Sequence, residues 1–272
     1  MYIPIILLAV ILFVTVVLVY WFREARKRRI ERIMQAPFPD AWGEILSKNM
    51  PLYGKLPEEL RCRLHGYINL FLAEKSFEGC GGQEITDEVR VMIAAQACLL
   101  LIGRDEHKCY PRLYSILVYP HAYVAAGRGE FGGDVPSARL GESWQSGAVV
   151  LAWDSVKGGA VNVHDGQNVT LHEFAHQLDQ EDGDADGTPI LDGISSYKSW
   201  AHTFSDGYSE FLERIQHHEK TIIDEYGATN PAEYFATATE AFFEKGKQMK
   251  AHCPALFNEM KAYYKIDPTQ WN

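Results

Sequence analysis

The chain has 272 residues, 47% of them hydrophobic, enough for one large domain or two small ones with a sizeable core. A formal net charge of -10 and a pI of about 5.5 argue against nucleic acid as a partner, because binding a polyanion takes a basic face. No GxxxxGK[ST] phosphate loop occurs, and the five cysteines include no CxxC pair, so neither a nucleotide fold nor a disulfide framework is indicated.

The first element is apolar throughout. Tyr2 to Phe22 carries no charge, and Tyr20, Trp21 and Phe22 close it as an interfacial aromatic belt would. "REARKRR" (Arg23 to Arg29) follows, with five positive charges against one negative. This pattern predicts a transmembrane anchor over 1–24 and a basic juxtamembrane linker over 25–37. The positive flank predicts a single pass through the inner (cytoplasmic) membrane, with the rest of the chain facing the cytoplasm.

Two prolines in "APFPDAW" (Ala36 to Trp42) break the helix, and a domain over 38–272 begins there. Leu60, Leu64, Ile68, Phe71 and Leu72 recur at helical spacing and predict a helix over 56–77. A second helix is expected over 85–103, capped by Thr86 and ended by Gly103. "YSILVYP" (Tyr114 to Pro120) and "GAVVLAW" (Gly147 to Trp153) read as short strands, with the glycine-rich 127–134 between them as a loop. Beyond Asn168 the pattern is helical again. The expected class is α+β, with a small mixed sheet between helix-rich ends.

The chemistry is concentrated in "LHEFAHQLD" (Leu171 to Asp179), which has the form H-E-x-x-H. Residues i and i+4 share a helix face, so His172 and His176 can aim both imidazoles at one zinc ion. Glu173 stands one residue on, placed as a general base toward a water on that ion. Leu171, Ala175 and Leu178 would hold the other side of the helix in the core. The apolar strand just before the helix would lie where peptide substrates run in zinc peptidases.

A catalytic zinc takes a third protein ligand and keeps a fourth position open. Position 182 is Asp182, so no third histidine follows at the metzincin spacing. In "YGATNPAEYFATATEAFFE" (Tyr226 to Glu244), Glu233 and Glu240 lie seven residues apart on nearly one helix face. Spacing leaves them close to equal, and Asn230-x-x-Glu233 is also a capping-box pattern. A place in the first helical turn favours Glu233, since the helix dipole keeps a carboxylate ionised there. Asp179 and Glu240 are further candidates for orienting a ligand histidine, or are solvated charges. "DGDADG" (Asp182 to Gly187) begins like an EF-hand loop but has Gly193 where the twelfth-position glutamate belongs.

"HEFAHQLD" together with "NPAEYFA" resembles the Mlc titration factor A family of zinc peptidases, of the gluzincin type. The likeness extends over "YSILVYP", "GESWQSGAVVLAW" and "CPALFNEMKAYYKIDP". "YGATNPAEYFA" is also similar to the matching segment of anthrax lethal factor. The resemblance implies a zincin-like metallopeptidase domain over 38–272 and one zinc per chain held by His172, His176 and Glu233. It implies that Tyr226 faces the reaction centre, where its hydroxyl would stabilise a developing oxyanion. The function expected is a membrane-anchored zinc metallopeptidase, aminopeptidase or endopeptidase, acting on a peptide or protein substrate with Glu173 as general base. The family name implies an alternative role, a regulatory module that sequesters a transcriptional repressor or another cytoplasmic protein partner.

Overall fold

A 32-residue helix, α1 (Ile3–Met34), opens the molecule. The structure, a computed structural model, describes residues 3–104, 108–128, 134–139, 141–144 and 147–271. The last turns of α1 belong to the core: Ile30 is buried, and Met34 lies against Gly66. Then come α2 (Asp40–Asn49), α3 (Pro51–Lys55), α4 (Glu58–Glu74), strand β1 (Ser76–Gly79) and α5 (Asp87–Leu99). Strands β2 (Ser115–Tyr119), β3 (Tyr123–Arg128), β4 (Asp134–Arg139), β5 (Gly141–Trp144) and β6 (Ala148–Ala152) fill the middle of the chain. The remainder is helical: α6 (Trp153–Val161), α7 (Val169–Asp179), α8 (Ile194–Gln216), α9 (Pro231–Glu244), α10 (Gly246–His252) and α11 (Pro254–Tyr264).

The membrane expectation is corrected here. Among the described residues no helix is long and apolar enough to cross a membrane. Arg23 ends the uncharged part of α1, and its last turns pack on the core through Ile30. The transmembrane anchor, the single-pass inner-membrane location and the membrane as partner are therefore not supported. The class is corrected with it: the molecule is mostly helical, because the strands of its sheet are only four or five residues long.

That sheet has the order β1-β2-β6-β5. β1, β2 and β6 run parallel, with Ile116 beside Val149, and β5 returns antiparallel with Gly141 beside Leu151. β3 and β4 form a separate antiparallel hairpin. Of the loop expected over 127–134, Gly127 and Arg128 belong to β3 and Asp134 to β4; 129–133 lie outside the described residues.

The helix expected over 56–77 stops at Glu74, and its tail becomes edge strand β1. Lys75 accounts for the break. It is buried, and its ammonium donates to the carbonyls of Tyr110 and Leu113 at 2.8 and 2.9 Å, which turns the chain toward β2. Thr86 does cap α5, accepting from the Val89 amide at 3.3 Å, and nearly every later residue of that helix is buried. α5 packs against α4, α6 and α7, and so forms the central pillar. α7 settles on this pillar through Leu171, Phe174, Ala175 and Leu178, all buried. The Phe174 ring meets Phe71 at 5.7 Å and Tyr110 at 4.9 Å, edge-on or tilted as aromatic quadrupoles prefer.

Candidate metal centre

α7 begins at Asn168, whose side chain accepts from the Leu171 amide at 3.0 Å. One helical turn separates His172 from His176, and their rings stand 4.8 Å apart in an edge-to-face arrangement. α9 crosses α7 from the other side. Its cap is Asn230, which accepts from the Glu233 amide at 3.0 Å, with Pro231 in the first turn. The Glu233 carboxylate points to the histidines: one oxygen, Oε2, lies 2.9 Å from His172 Nε2 and 3.2 Å from His176 Nε2. The two Nε2 atoms are themselves 3.2 Å apart.

Glu240, two turns further along α9, grips the other side of the same ring. Its Oε1 is 2.8 Å from His172 Nδ1, and its Oε2 accepts from the Asn168 amide. The carboxylate thus places the ring proton on Nδ1 and leaves Nε2 with a lone pair. Three atoms with lone pairs, one carboxylate oxygen and two imidazole nitrogens, then converge on one point. Such a triangle can hold a cation at its centre. Ligand atoms on a tetrahedral ion at about 2.0–2.1 Å stand about 3.3 Å apart, so edges of 2.9–3.2 Å suit a first-row metal. His172, His176 and Glu233 form the one cluster of this kind among the described residues.

The electrostatics favour positive charge at this point, whether a metal ion or a proton on the ring. Burial works against a charged His172, but its bonds to Glu233 and Glu240 outweigh burial and hold its pKa well above the ordinary value. Burial also opposes ionisation of Glu233, yet the two histidines pull its pKa down to about 2. Glu240 is shifted upward by its burial. The site therefore keeps Glu233 as an anion and attracts positive charge.

Glu173 is buried directly beneath β5. A Cβ at Gly141 would stand 2.6 Å from Glu173 Oε1 and 2.7 Å from its Cγ, so any larger residue would make the Glu173 side chain or the strand shift. Gln177 ties the same strand to α7 by donating to Ser143 Oγ at 2.7 Å. Tyr226 sits on a short 3-10 turn, Glu225–Ala228, whose N-cap Asp224 accepts from the Tyr226 amide. Its ring centroid lies 5.9 Å from that of His172, and the side chain is 56% exposed, at the mouth of the site.

A model of the glucose-regulated metallopeptidase M90 family matches residues 22–265, most of the chain. The chain belongs to that family. Its relatives include an uncharacterised protein of Synechocystis sp., 40% identical over 88% of this chain and 89% of the relative. The Mlc titration factors A of Escherichia coli O7:K1 and Salmonella arizonae are 30% and 29% identical, each over 84% of this chain and 87% and 92% of their own. Membership in a metallopeptidase family implies a bound metal, and the His-His-Glu cluster of this M90 chain is a place for one.

Not every residue singled out from the sequence joins the cluster. Asp179 is fully buried, but it hydrogen-bonds the Gly187 amide at 3.0 Å and no histidine. Burial first, then the nearby Asp186, raises its pKa to about 6, against the pull of its bonds and of His176. Its role is to bind the 182–187 loop. Gly187, at φ 81°, presses on the Pro231 carbonyl, so this loop braces the start of α9. β6, expected along the substrate path, is a central strand with β2 on one side and β5 on the other. On this side of the sheet the edge is β5.

Three residues of the M90 site were missed by pattern reading. Gly141 and Glu244 carry no local signal. Asn168 could have been found as a cap just before an apolar run. Glu244, one turn beyond Glu240, is buried and accepts from Asn168 Nδ2 at 3.2 Å and from the Gly166 amide at 3.0 Å. Burial dominates there and raises its pKa to about 8.

Proposed function

We propose that the chain is a zinc-dependent peptidase. His172, His176 and Glu233 hold the ion, Glu173 is the general base, and Tyr226 assists the oxyanion. The observation that carries this reading is the convergence of three lone pairs, with the His172 tautomer set by Glu240. Imidazole and carboxylate donors suit zinc, and a three-residue set leaves a position open, as catalytic sites do. Zinc, when bound, supplies Lewis acidity toward a carbonyl and makes a coordinated water more acidic.

The chain's own residues do the remainder. Glu173 accepts a proton from the attacking water and later delivers it to the leaving amine. Its carboxylate is confined between α7 and β5, so the base is held in position before substrate arrives. Tyr226, near the His172 ring and open to solvent, offers a hydroxyl to the charge that develops on the scissile oxygen. β5 pairs only with β6 among the described residues, and its other edge can take an extended peptide as an added strand. A substrate lying there passes over Glu173.

The test is metal content against turnover. The purified chain should carry about one zinc, and Glu233→Ala should lose it. Glu173→Gln should keep the zinc and lose hydrolysis of a peptide library by about 10²-fold or more. Full activity in Glu173→Gln would exclude the mechanism. A second reading comes from the relatives' name: titration of Mlc points to a protein partner, and this chain would bind one too. Partner capture that survives Glu173→Gln would show a binding role separate from catalysis.

A further inference from the structure

The back of α9, away from the metal cluster, faces a cavity of about 280 Å³ enclosed by α8, the 221–223 segment and the start of α11. Its walls include Phe211, Ile222, Ile223 and Leu256, and Tyr234 forms the floor. Tyr234 is only 2% exposed overall, and its hydroxyl is the part that meets the cavity. That oxygen lies against Gly207, where a Cβ would stand 3.0 Å from it; the missing side chain keeps the way to the floor open. A hydroxyl at the bottom of an apolar-walled cavity offers a ligand one directional polar contact.

The mouth is acidic. Asp206 and Glu210 stand one turn apart on α8 and both line the cavity. Asp206 is paired with His202 at 3.0 Å, and Arg214 is taken by Glu219 at 3.2 Å and the Lys220 carbonyl at 3.0 Å. Among the described residues Glu210 has no such partner, so a net negative charge remains. That charge reaches the floor: after burial, Glu210 is among the groups that raise the pKa of both Tyr234 and Cys253.

We propose that this cavity binds a small primary amine with an apolar, ring-sized body. The body packs on Ile222, Ile223 and Leu256, and the ammonium bridges the Glu210 carboxylate and the Tyr234 hydroxyl oxygen. The volume, an apolar lining and a few convergent polar groups are what small-molecule sites share. Occupancy would bear on the metal cluster from behind. Tyr234 follows Glu233 on α9, and Ile223 leads through Asp224 into the turn that carries Tyr226. This consequence rests on the peptidase reading; the binding itself does not.

Calorimetric titration of the full chain tests the site, with 2-phenylethylamine as probe and 2-phenylethanol and phenylacetate as neutral and anionic counterparts. The amine should bind at least about tenfold more tightly than either, and Glu210→Gln should weaken it about tenfold, as loss of a charged hydrogen bond does. Tyr234→Phe should weaken it similarly. Should that variant not fold, Glu210→Gln, on the exposed side of α8, decides alone. No heat with the amine, equal affinity for all three probes, or an unchanged affinity in Glu210→Gln would overturn the proposal.

Discussion

Two residues around His172 and Glu173 do work that their identities alone would not suggest. Gly141 is defined by what it lacks: a Cβ there would stand 2.6 Å from Glu173 Oε1. Gly141→Ala must push that carboxylate aside or lift β5. Zinc content should stay near that of the parent while turnover falls by about 10²-fold, in the range expected for a displaced general base. Retained turnover would mean that Glu173 is not positioned by this strand. Glu240 touches no ion in the proposed site, yet it sets the tautomer and direction of His172. Glu240→Ala should weaken zinc binding by about 10–100-fold, the usual cost of losing a partner behind a ligand histidine. Competition with a chromogenic chelator measures this directly, and an unchanged affinity would remove Glu240 from the site.

At the scale of elements, two helices and an edge strand carry the site, and the helix starts are where they are fastened. Asn230 caps α9 by one bond to the Glu233 amide, so Asn230→Ala should cost about 1 kcal/mol in urea unfolding. Asn168 caps α7 but also donates to the Gly159 carbonyl and to Glu244, and its amide meets Glu240. Removing its side chain strands buried acceptors as well as losing the cap. Asn168→Ala should therefore cost more than Asn230→Ala, about 2–3 kcal/mol. Equal losses would show that the network behind α7 adds nothing to the cap.

Considered as a whole, the molecule buries two carboxylates, Asp179 and Glu244, that the metal cluster does not use. Both have folded pKa values raised by burial, to about 6 and about 8, from ordinary values of 3.8 and 4.5. The folded chain thus holds protons that the unfolded chain releases, and stability must fall as pH rises across those windows. The Glu244 contribution is fully present below about 4.5 and is lost as pH rises through about 8. For the metal-stripped protein, Glu244→Gln should flatten the decline of melting temperature over that range, whatever its effect on absolute stability. A slope as steep as the parent's would place the titration elsewhere.

Much of the site is local and therefore legible in the order of residues. Helical geometry alone puts His172 and His176 one turn apart, and the Asn230-Pro231 start of α9 follows from cap and proline chemistry. Spacing cannot choose between Glu233 and Glu240, because seven residues return nearly to the same face, and only the first-turn position favours Glu233. Packing decides it: α9 crosses α7 so that Glu233 reaches Nε2 of His172 and Glu240 reaches Nδ1. The N-terminal apolar run misled for a related reason. Composition suggested a full membrane span, whereas among the described residues no helix meets the length and apolarity of a span, and the end of α1 packs into the core through Ile30. Strands β1 and β5 were also beyond local pattern, since four residues hold too little periodicity to register. Residue order sets the donor types and their spacing within each helix. Which carboxylate meets which nitrogen, which strand lies beside α7, and that Gly141 lies over Glu173 are set by packing, because those contacts join segments far apart in the chain.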